Sequence, residues 1–145
     1  MIFDLEAEFS DKQKITTTTV SDKTYDSGPV SYVVGIGTRR RINRDMGAGR
    51  ANNLRIQVVE NFSGLNNLTV VMENSDDSTF SSDVHTVSSS GAIPVTDLKA
   101  GLVITPNYVP SGVTRRYLRL KYIVSGTATS GAISAGFVAG RQTNS

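Results

Sequence analysis

Apolar and polar residues alternate one by one at the beginning of the chain. The odd positions carry the apolar side chains Phe3, Leu5, Ala7 and Phe9, and the even positions between them carry Asp4, Glu6 and Glu8. Successive side chains of a β-strand point to opposite faces of a sheet. A period of two therefore predicts a strand with one face in a core and the other in water.

Similar short segments, alternating or rich in β-branched residues, recur along the chain with Gly, Asn, Ser and Pro between them. They lie within residues 14–26, 54–62, 68–74, 84–87, 101–105, 117–124 and 132–140. The separators SGLNN at 63–67 and SGTATSG at 125–131 predict turns. Apolar spacing of 3.6 residues is not sustained anywhere, and only residues 95–99 suit a helical turn. About eight short strands predict an all-β, single-domain antiparallel sandwich or barrel over residues 1–145.

The segment RRYLRLKYIV at residues 115–124 sets four cations among large apolar side chains. Strand geometry separates the two kinds of residue. The face predicted to fill the core carries Leu118, Leu120, Tyr122 and Val124, each large side chain contributing roughly 1.5–3 kcal/mol when fully buried. The outer face carries Tyr117, Arg119, Lys121 and Ile123. This face is amphipathic, which makes Arg119 and Lys121 candidate contacts with a partner.

The least regular region is a basic, glycine-rich excursion at about residues 28–53, with a short hairpin predicted near 32–36. Its arginines are Arg39, Arg40, Arg41, Arg44 and Arg50. Long irregular segments in compact domains are usually functional or disordered. We expect the first four arginines to contact either water alone or an acidic surface on another protein, since guanidinium groups suit bidentate anion recognition.

Composition excludes several classes of function. The 15 basic and 13 acidic residues nearly balance, and the absence of cysteine removes disulfides, thiolate metal sites and cysteine nucleophiles. No apolar run approaches the roughly 18 residues of a membrane span. The N-terminus lacks a signal-peptide pattern, so we expect a soluble protein without a membrane partner.

Nothing in the sequence indicates an active site or a cofactor. His85 is the only histidine, which leaves zinc without a usual ligand set and fits a half-exposed structural role. The segment ENSDDSTF at 73–80 lacks the glycine and closing glutamate of an EF-hand loop, so an acidic turn is the better interpretation. The segments GIG at 35–37 and GAG at 47–49 lack the third glycine of a dinucleotide loop. We therefore predict no enzyme, no metal and no cofactor.

Five segments together resemble the capsid cement (decoration) proteins of tailed bacteriophages, of the type found on Bordetella podophages. They are MIFDLEAEFSDKQKIT, RDMGAGRANNLRIQVVENF, LTVVMENSDDSTFSSDV, GAIPVTDLKAGLVI and RRYLRLKYIVSGTATSGAISAGFVAGRQ, in this order. The resemblance implies a jelly-roll β-sandwich on the exterior of the virion capsid, made in the host cytoplasm. It also implies a homodimer or homotrimer that bridges copies of a major capsid protein of HK97-like fold. Residues 28–42 look longer than the family pattern, so the resemblance assigns them no role.

Two other functions are consistent with the sequence. A jelly roll of this size suits a carbohydrate-binding adsorption module, although sugar platforms usually present aromatic rings and this chain has no tryptophan. A β-barrel using the arginines of the excursion would bind nucleic acid. Aromatic residues make up only 7% of the chain, too few to indicate a stacking platform for bases, so composition argues against a nucleic-acid partner.

Overall fold

The computed structural model describes residues 7–29, 32–35, 37–41 and 52–138, and within these ranges the protein is all-β and contains no helix. The strands are β1 (Glu8–Lys14), β2 (Thr19–Val20), β3 (Tyr25–Asp26), β4 (Tyr32–Gly35), β5 (Thr38–Arg41), β6 (Leu54–Ser75), β7 (His85–Ser89), β8 (Ile93–Pro94), β9 (Val103–Ile104) and β10 (Tyr117–Phe137). Eight of them form one antiparallel sheet, and β4 and β5 form a second sheet of two strands. The predicted all-β class and strand number are confirmed.

Two long strands, β6 and β10, pair with each other over almost their full length and form the centre of the sheet. A straight strand of 22 residues would span about 70 Å at about 3.3 Å per residue. A domain of this size has a radius of gyration of only about 15 Å. The paired strands must therefore bend back within the domain, and each contributes one half to each of two layers.

The bend explains why two predicted turns are wrong. Residues 63–67 and 125–131 lie inside β6 and β10 and pair with each other, with Ser63 opposite Ser130 and Leu65 opposite Gly126. The pairing register shifts here, which is the signature of β-bulges. Gly64 and Gly126 have φ values of +85° and +92°. The glycines of residues 63–67 and 125–131 therefore allow two continuous strands to bend, and they do not mark reversals of the chain.

The first layer contains β1, residues 131–137 of β10, residues 54–63 of β6, and β9. The second layer contains β2 and β3, residues 117–125 of β10, residues 65–75 of β6, and β7 with β8. Each layer is thus four strands wide, and together they form the β-sandwich predicted from the sequence. The chain crosses between the layers from β1 to β2 and β3, where the amide of Lys23 donates to the carbonyl of Phe9 (2.9 Å).

The inner faces of both layers enclose one hydrophobic core. Leu118, Leu120 and Tyr122 are fully buried, and Val124 packs against them half-buried, so the predicted inner face of β10 is confirmed. Both halves of β6 also contribute, through Leu54, Ile56 and Val58 in the first layer and Leu68, Val70 and Met72 in the second.

Some predicted elements differ from the structure at their ends. Of the first predicted strand only residues 7–9 lie within the described ranges, and β1 begins at Glu8 and continues to Lys14. The strand predicted at 84–87 is β7, displaced to His85–Ser89. Where a helical turn was predicted at 95–99, residues 94–98 form a turn without helix, in which the amide of Leu98 donates to the carbonyl of Val95 (3.2 Å).

Candidate interaction surface

The outer face of β10 in the second layer carries Arg119 and Lys121, two candidate contacts from the sequence. Arg119 lies opposite Glu73 on β6, and both its Nε and Nη2 are bonded to Glu73 Oε2, at 2.9 and 2.8 Å. The side chains of Arg119 and Glu73 are only 17% and 9% exposed. This guanidinium therefore neutralises a nearly buried carboxylate of its own chain.

A loop at residues 76–84 covers this pair from outside. Phe80, which is buried, lies with its ring 4.1 Å from the guanidinium carbon of Arg119, a cation–π contact. Phe80 adopts φ +53°, which places its backbone in the left-handed region. The contact with Arg119 supplies a stabilising interaction for that strained conformation.

Asp77 organises the same loop. Its carboxylate accepts hydrogen bonds from the amide and hydroxyl of Thr79 (2.9 and 2.8 Å) and from the amide and hydroxyl of Ser81 (3.1 and 2.5 Å). The hydroxyl of Ser81, followed by the amide and hydroxyl of Thr79, holds the pKa of Asp77 well below its usual range. The acidic segment is therefore a turn closed by its own hydroxyl groups, as its sequence predicts.

Arg115 and Arg116 lie in a network of charged side chains at the end of the second layer, which the sequence did not predict. Arg116 forms a bidentate pair with Asp26 on β3, with Nε–Oδ1 2.7 Å and Nη2–Oδ2 2.9 Å. Arg115 bonds to Asp76 (3.2 Å), to Asp83 and to His85 Nε2 (3.0 Å). Adjacent arginines and an acidic turn were visible in the sequence, but their pairing depends on contacts between residues 30 to 90 positions apart.

The histidine belongs to this network of charged side chains. His85 Nε2 lies 3.1 Å from Asp83 Oδ1, and the imidazole side chain is 55% exposed. Its position at the start of β7 agrees with the predicted half-exposed structural role. Among the described residues, no three His, Cys, Asp or Glu side chains come together as a group that would hold a metal ion.

Lys121 differs from Arg119 although both stand on the same face. Its ammonium is 3.9 Å from Glu73 Oε1, at the limit of an ion pair, and its side chain is 37% exposed. Val20 on β2 lies opposite Lys121 and is 36% exposed, and Ile123 beyond it on β10 is 39% exposed. This part of the outer face therefore presents one accessible cation between exposed apolar side chains.

The arginines of the excursion are brought together only in part. Arg39, Arg40 and Arg41 are consecutive residues of β5, where they pair with Val34, Val33 and Tyr32 of β4. Gly35 pairs with Thr38, and Gly37 has φ +77°, as a tight hairpin turn requires. The predicted hairpin near 32–36 is thus longer than expected and includes the three arginines, while Arg44 and Arg50 lie outside the described residues.

Two further features bear on the kind of protein. The described residues contain no helix with the length and hydropathy needed to span a bilayer. On the outer face of β10, Arg119 is held in an ion pair within the chain, and Lys121 is more exposed. The fold and these surfaces define a β-sandwich whose distinctive features are its charged and amphipathic outer faces.

Comparison with known protein families identifies one family model that matches this sandwich. The family model Bbp16 matches residues 9–137, from the second residue of β1 to the last residue of β10. The chain therefore belongs to the Bbp16 family, a family of Bordetella phage proteins. No curated protein is significantly similar to the chain.

Proposed function

We propose that this protein is a structural cement protein of a phage head, which binds the exterior of the capsid and strengthens the joints between capsid subunits. The observation that carries the proposal is the family match, which extends over both layers of the sandwich and joins the chain to phage proteins. The resemblance of its strand sequence to capsid cement proteins supplies the specific role. The proposed partner is a major capsid protein of HK97-like fold, and the protein has no catalytic step in this role.

The physical design of the sandwich supports such a role. The loop at 76–84 is held by the Asp77 hydrogen bonds and by Phe80, and the end of β10 is held by the Arg116–Asp26 pair. Side chains and loops that are ordered before docking lose little entropy on docking. A rigid clamp that touches several subunits also gains from effective concentration, because each contact after the first is intramolecular. Individually modest contacts are then sufficient.

The test is the addition of the purified protein to undecorated phage shells, followed by sedimentation and electron microscopy. We expect saturable binding to the outer surface and a higher temperature of shell disruption than for bare shells. Heat-denatured protein and an unrelated β-sandwich of similar charge serve as controls. Failure of the folded protein to bind shells in either the unexpanded or the expanded state would overturn the proposal.

We also propose that the protein acts as a homodimer or homotrimer, because a clamp on repeated subunits gains by matching their local symmetry. Sedimentation equilibrium over a range of concentrations distinguishes the two states. A protein that stays monomeric at high concentration and also on the shell would contradict this part.

The two alternative functions have direct tests. A glycan array that shows binding would favour an adsorption module. A gel shift with DNA whose affinity falls steeply with salt would favour phosphate contacts by the arginines of β5. Either result, without shell binding, would replace the cement function.

A further inference from the structure

We infer that the outer face of the second layer docks a segment of a partner protein that presents a carboxylate between apolar side chains. The docking surface consists of Val20, Lys121 and Ile123, beside the half-buried Thr69 and the buried Val71, and is called the Lys121 patch below. The inference rests on the proposed function, since it takes the capsid protein as the chain that carries this segment.

Strand register brings the patch together. Lys121 lies opposite Val20 on β2 and opposite Val71 on β6, and Ile123 lies opposite Thr69. Residues directly opposite in an antiparallel pair share one face of the sheet. Val20 and Ile123 are 36% and 39% exposed, whereas Leu118, Leu120 and Tyr122 of the opposite face fill the core. Burying both against a partner would gain hydrophobic free energy without any change in the fold.

Charge gives the patch its preference. Glu73 is the acidic neighbour of Lys121, but two bonds of 2.9 and 2.8 Å commit its Oε2 to Arg119. Lys121 is 3.9 Å from the other carboxylate oxygen. Arg119, Lys121 and Glu73 together carry a net charge of one positive unit. The unmatched positive charge lies on Lys121, the most exposed of the three. A partner carboxylate placed between the apolar side chains would balance it.

Two neighbouring parts of this layer are less accessible to a partner. The loop at 76–84 covers the face around Glu73 through Phe80. At one edge of this layer β8 ends in Pro94, which has no amide hydrogen to donate to an added strand. Within the described residues, Val20, Lys121 and Ile123 remain exposed on this face.

The same charge argues against two other occupants. A second copy docked by two-fold symmetry would bring its own Lys121 towards this one, with like charges facing across an apolar contact. Nucleic acid would satisfy the ammonium through phosphate but would leave Val20 and Ile123 against a polar backbone. A protein segment with a carboxylate flanked by apolar side chains satisfies both parts of the patch.

The experiment measures binding to undecorated shells by sedimentation for the parent and for Lys121→Glu, Lys121→Gln and Ile123→Ser. Lys99→Glu is the matched control, because Lys99 is exposed in the turn before β9 and makes the same change of net charge. We expect Lys121→Glu to weaken binding by about tenfold or more, and the other two patch variants to weaken it by about threefold to tenfold. Lys99→Glu should bind like the parent. Thermal melting confirms that each variant is folded.

The outcomes separate the inference from the proposed function. If the parent fails to bind shells, the cement function fails. If the parent binds and both Lys121→Glu and Ile123→Ser bind equally well, the patch is overturned while the cement function stands. A change in the oligomeric state of free Lys121→Glu would instead assign the patch to a second copy, and loss of DNA binding without loss of shell binding would assign it to nucleic acid. Both of these results would overturn the inference.

Discussion

Arg119 and Lys121 stand two residues apart on the same face of β10, yet they meet different environments. Arg119 lies opposite a carboxylate and beneath an aromatic ring, so its charge is matched within the chain. Lys121 lies between Val20 and Val71, neither of which offers an acceptor through its side chain. The difference follows from what the neighbouring strands place opposite each cation.

This difference predicts unequal effects on stability. Arg119→Ala should lower the free energy of unfolding by about 1–3 kcal/mol, because it leaves the nearly buried Glu73 carboxylate without its main partner. Lys121→Ala should cost less than about 1 kcal/mol, since its pair is long and exposed. Urea denaturation of both variants measures the two values. Equal costs would show that the Arg119 pair contributes no more than an ordinary surface pair.

Gly131 offers a second test at the scale of one residue. Its φ is +137°, and a Cβ at this position would overlap the ring of Phe62, which is packed in the core. Gly91 also has a positive φ, +73°, but open space surrounds its would-be Cβ. Gly131→Ala should therefore destabilise the protein by about 1–3 kcal/mol more than Gly91→Ala, because overpacking adds to backbone strain. Matching melting temperatures of the two variants would mean that Phe62 relocates at little cost.

Single residues show how far the sequence alone could lead. Alternation identified the inner and outer faces of β10, because the direction of side chains along a strand depends only on the period of two. Alternation did not indicate that Glu73 lies opposite Arg119. This pairing depends on the register between β6 and β10, and the two residues are 46 positions apart in the sequence. That Lys121, and not Arg119, is the exposed cation of this face therefore depends on strand pairing, which the sequence pattern does not give.

At the scale of elements, the two long strands are the main departure from the sequence prediction. Runs such as SGLNN and SGTATSG have the composition of turns, and local composition does not distinguish a chain reversal from a bulge in a continuous strand. Here each run lies opposite the other, so both bend together. The small residues of β10 also have an intramolecular role: Ser134 is buried and its hydroxyl accepts a hydrogen bond from the amide of Lys12 in the irregular part of β1 (2.9 Å).

Tyr122 links the two layers and predicts a pH dependence. Its hydroxyl lies 2.8 Å from that of Ser10 on β1, and burial raises the pKa of the Tyr122 phenol well above its usual value, more than the Ser10 hydrogen bond lowers it. In the unfolded chain a tyrosine titrates near about pH 10. The folded state therefore retains its proton to a higher pH. The stabilisation is complete below about pH 10 and is lost as the pH rises further towards the folded-state pKa.

Tyr122→Phe should remove this contribution. Above about pH 10 its free energy of unfolding should fall less steeply than that of the parent, by up to about 1.4 kcal/mol per pH unit. Denaturant titrations at a series of alkaline pH values measure the slopes. Tyr108→Phe is the matched control, because it removes a phenol that is 48% exposed instead of one in the core. Parallel slopes for the parent and Tyr122→Phe would show that the phenol ionises without unfolding the sandwich.

At the scale of the whole molecule, the charged residues divide between two tasks. Arg115, Arg116 and Arg119 tie loops and strands of the second layer to one another through Asp26, Asp76, Asp83 and Glu73. These pairs connect β3, the loop at 76–84 and β6 to residues 115–119. Lys121 touches this network only through its long, 3.9 Å contact with Glu73.

Substitution of the three arginines of β5 would test whether the β4–β5 hairpin is a second contact with the shell. The β4–β5 hairpin forms a sheet of its own, and in the described chain no strand of the main sheet pairs with it. Changing Arg39, Arg40 and Arg41 together to alanine therefore breaks no ladder of the sandwich, and the melting temperature should stay nearly unchanged.

We expect the triple variant to attach more weakly to shells, and the attachment that remains should depend less on salt, because fewer charges take part. Binding of parent and triple variant is measured by sedimentation across a salt series, with a DNA gel shift run beside it, since loss of phosphate contacts would also weaken DNA binding. Equal loading of both proteins at every salt concentration would reduce the hairpin to a solvated insertion and leave the face of β10 as the candidate contact.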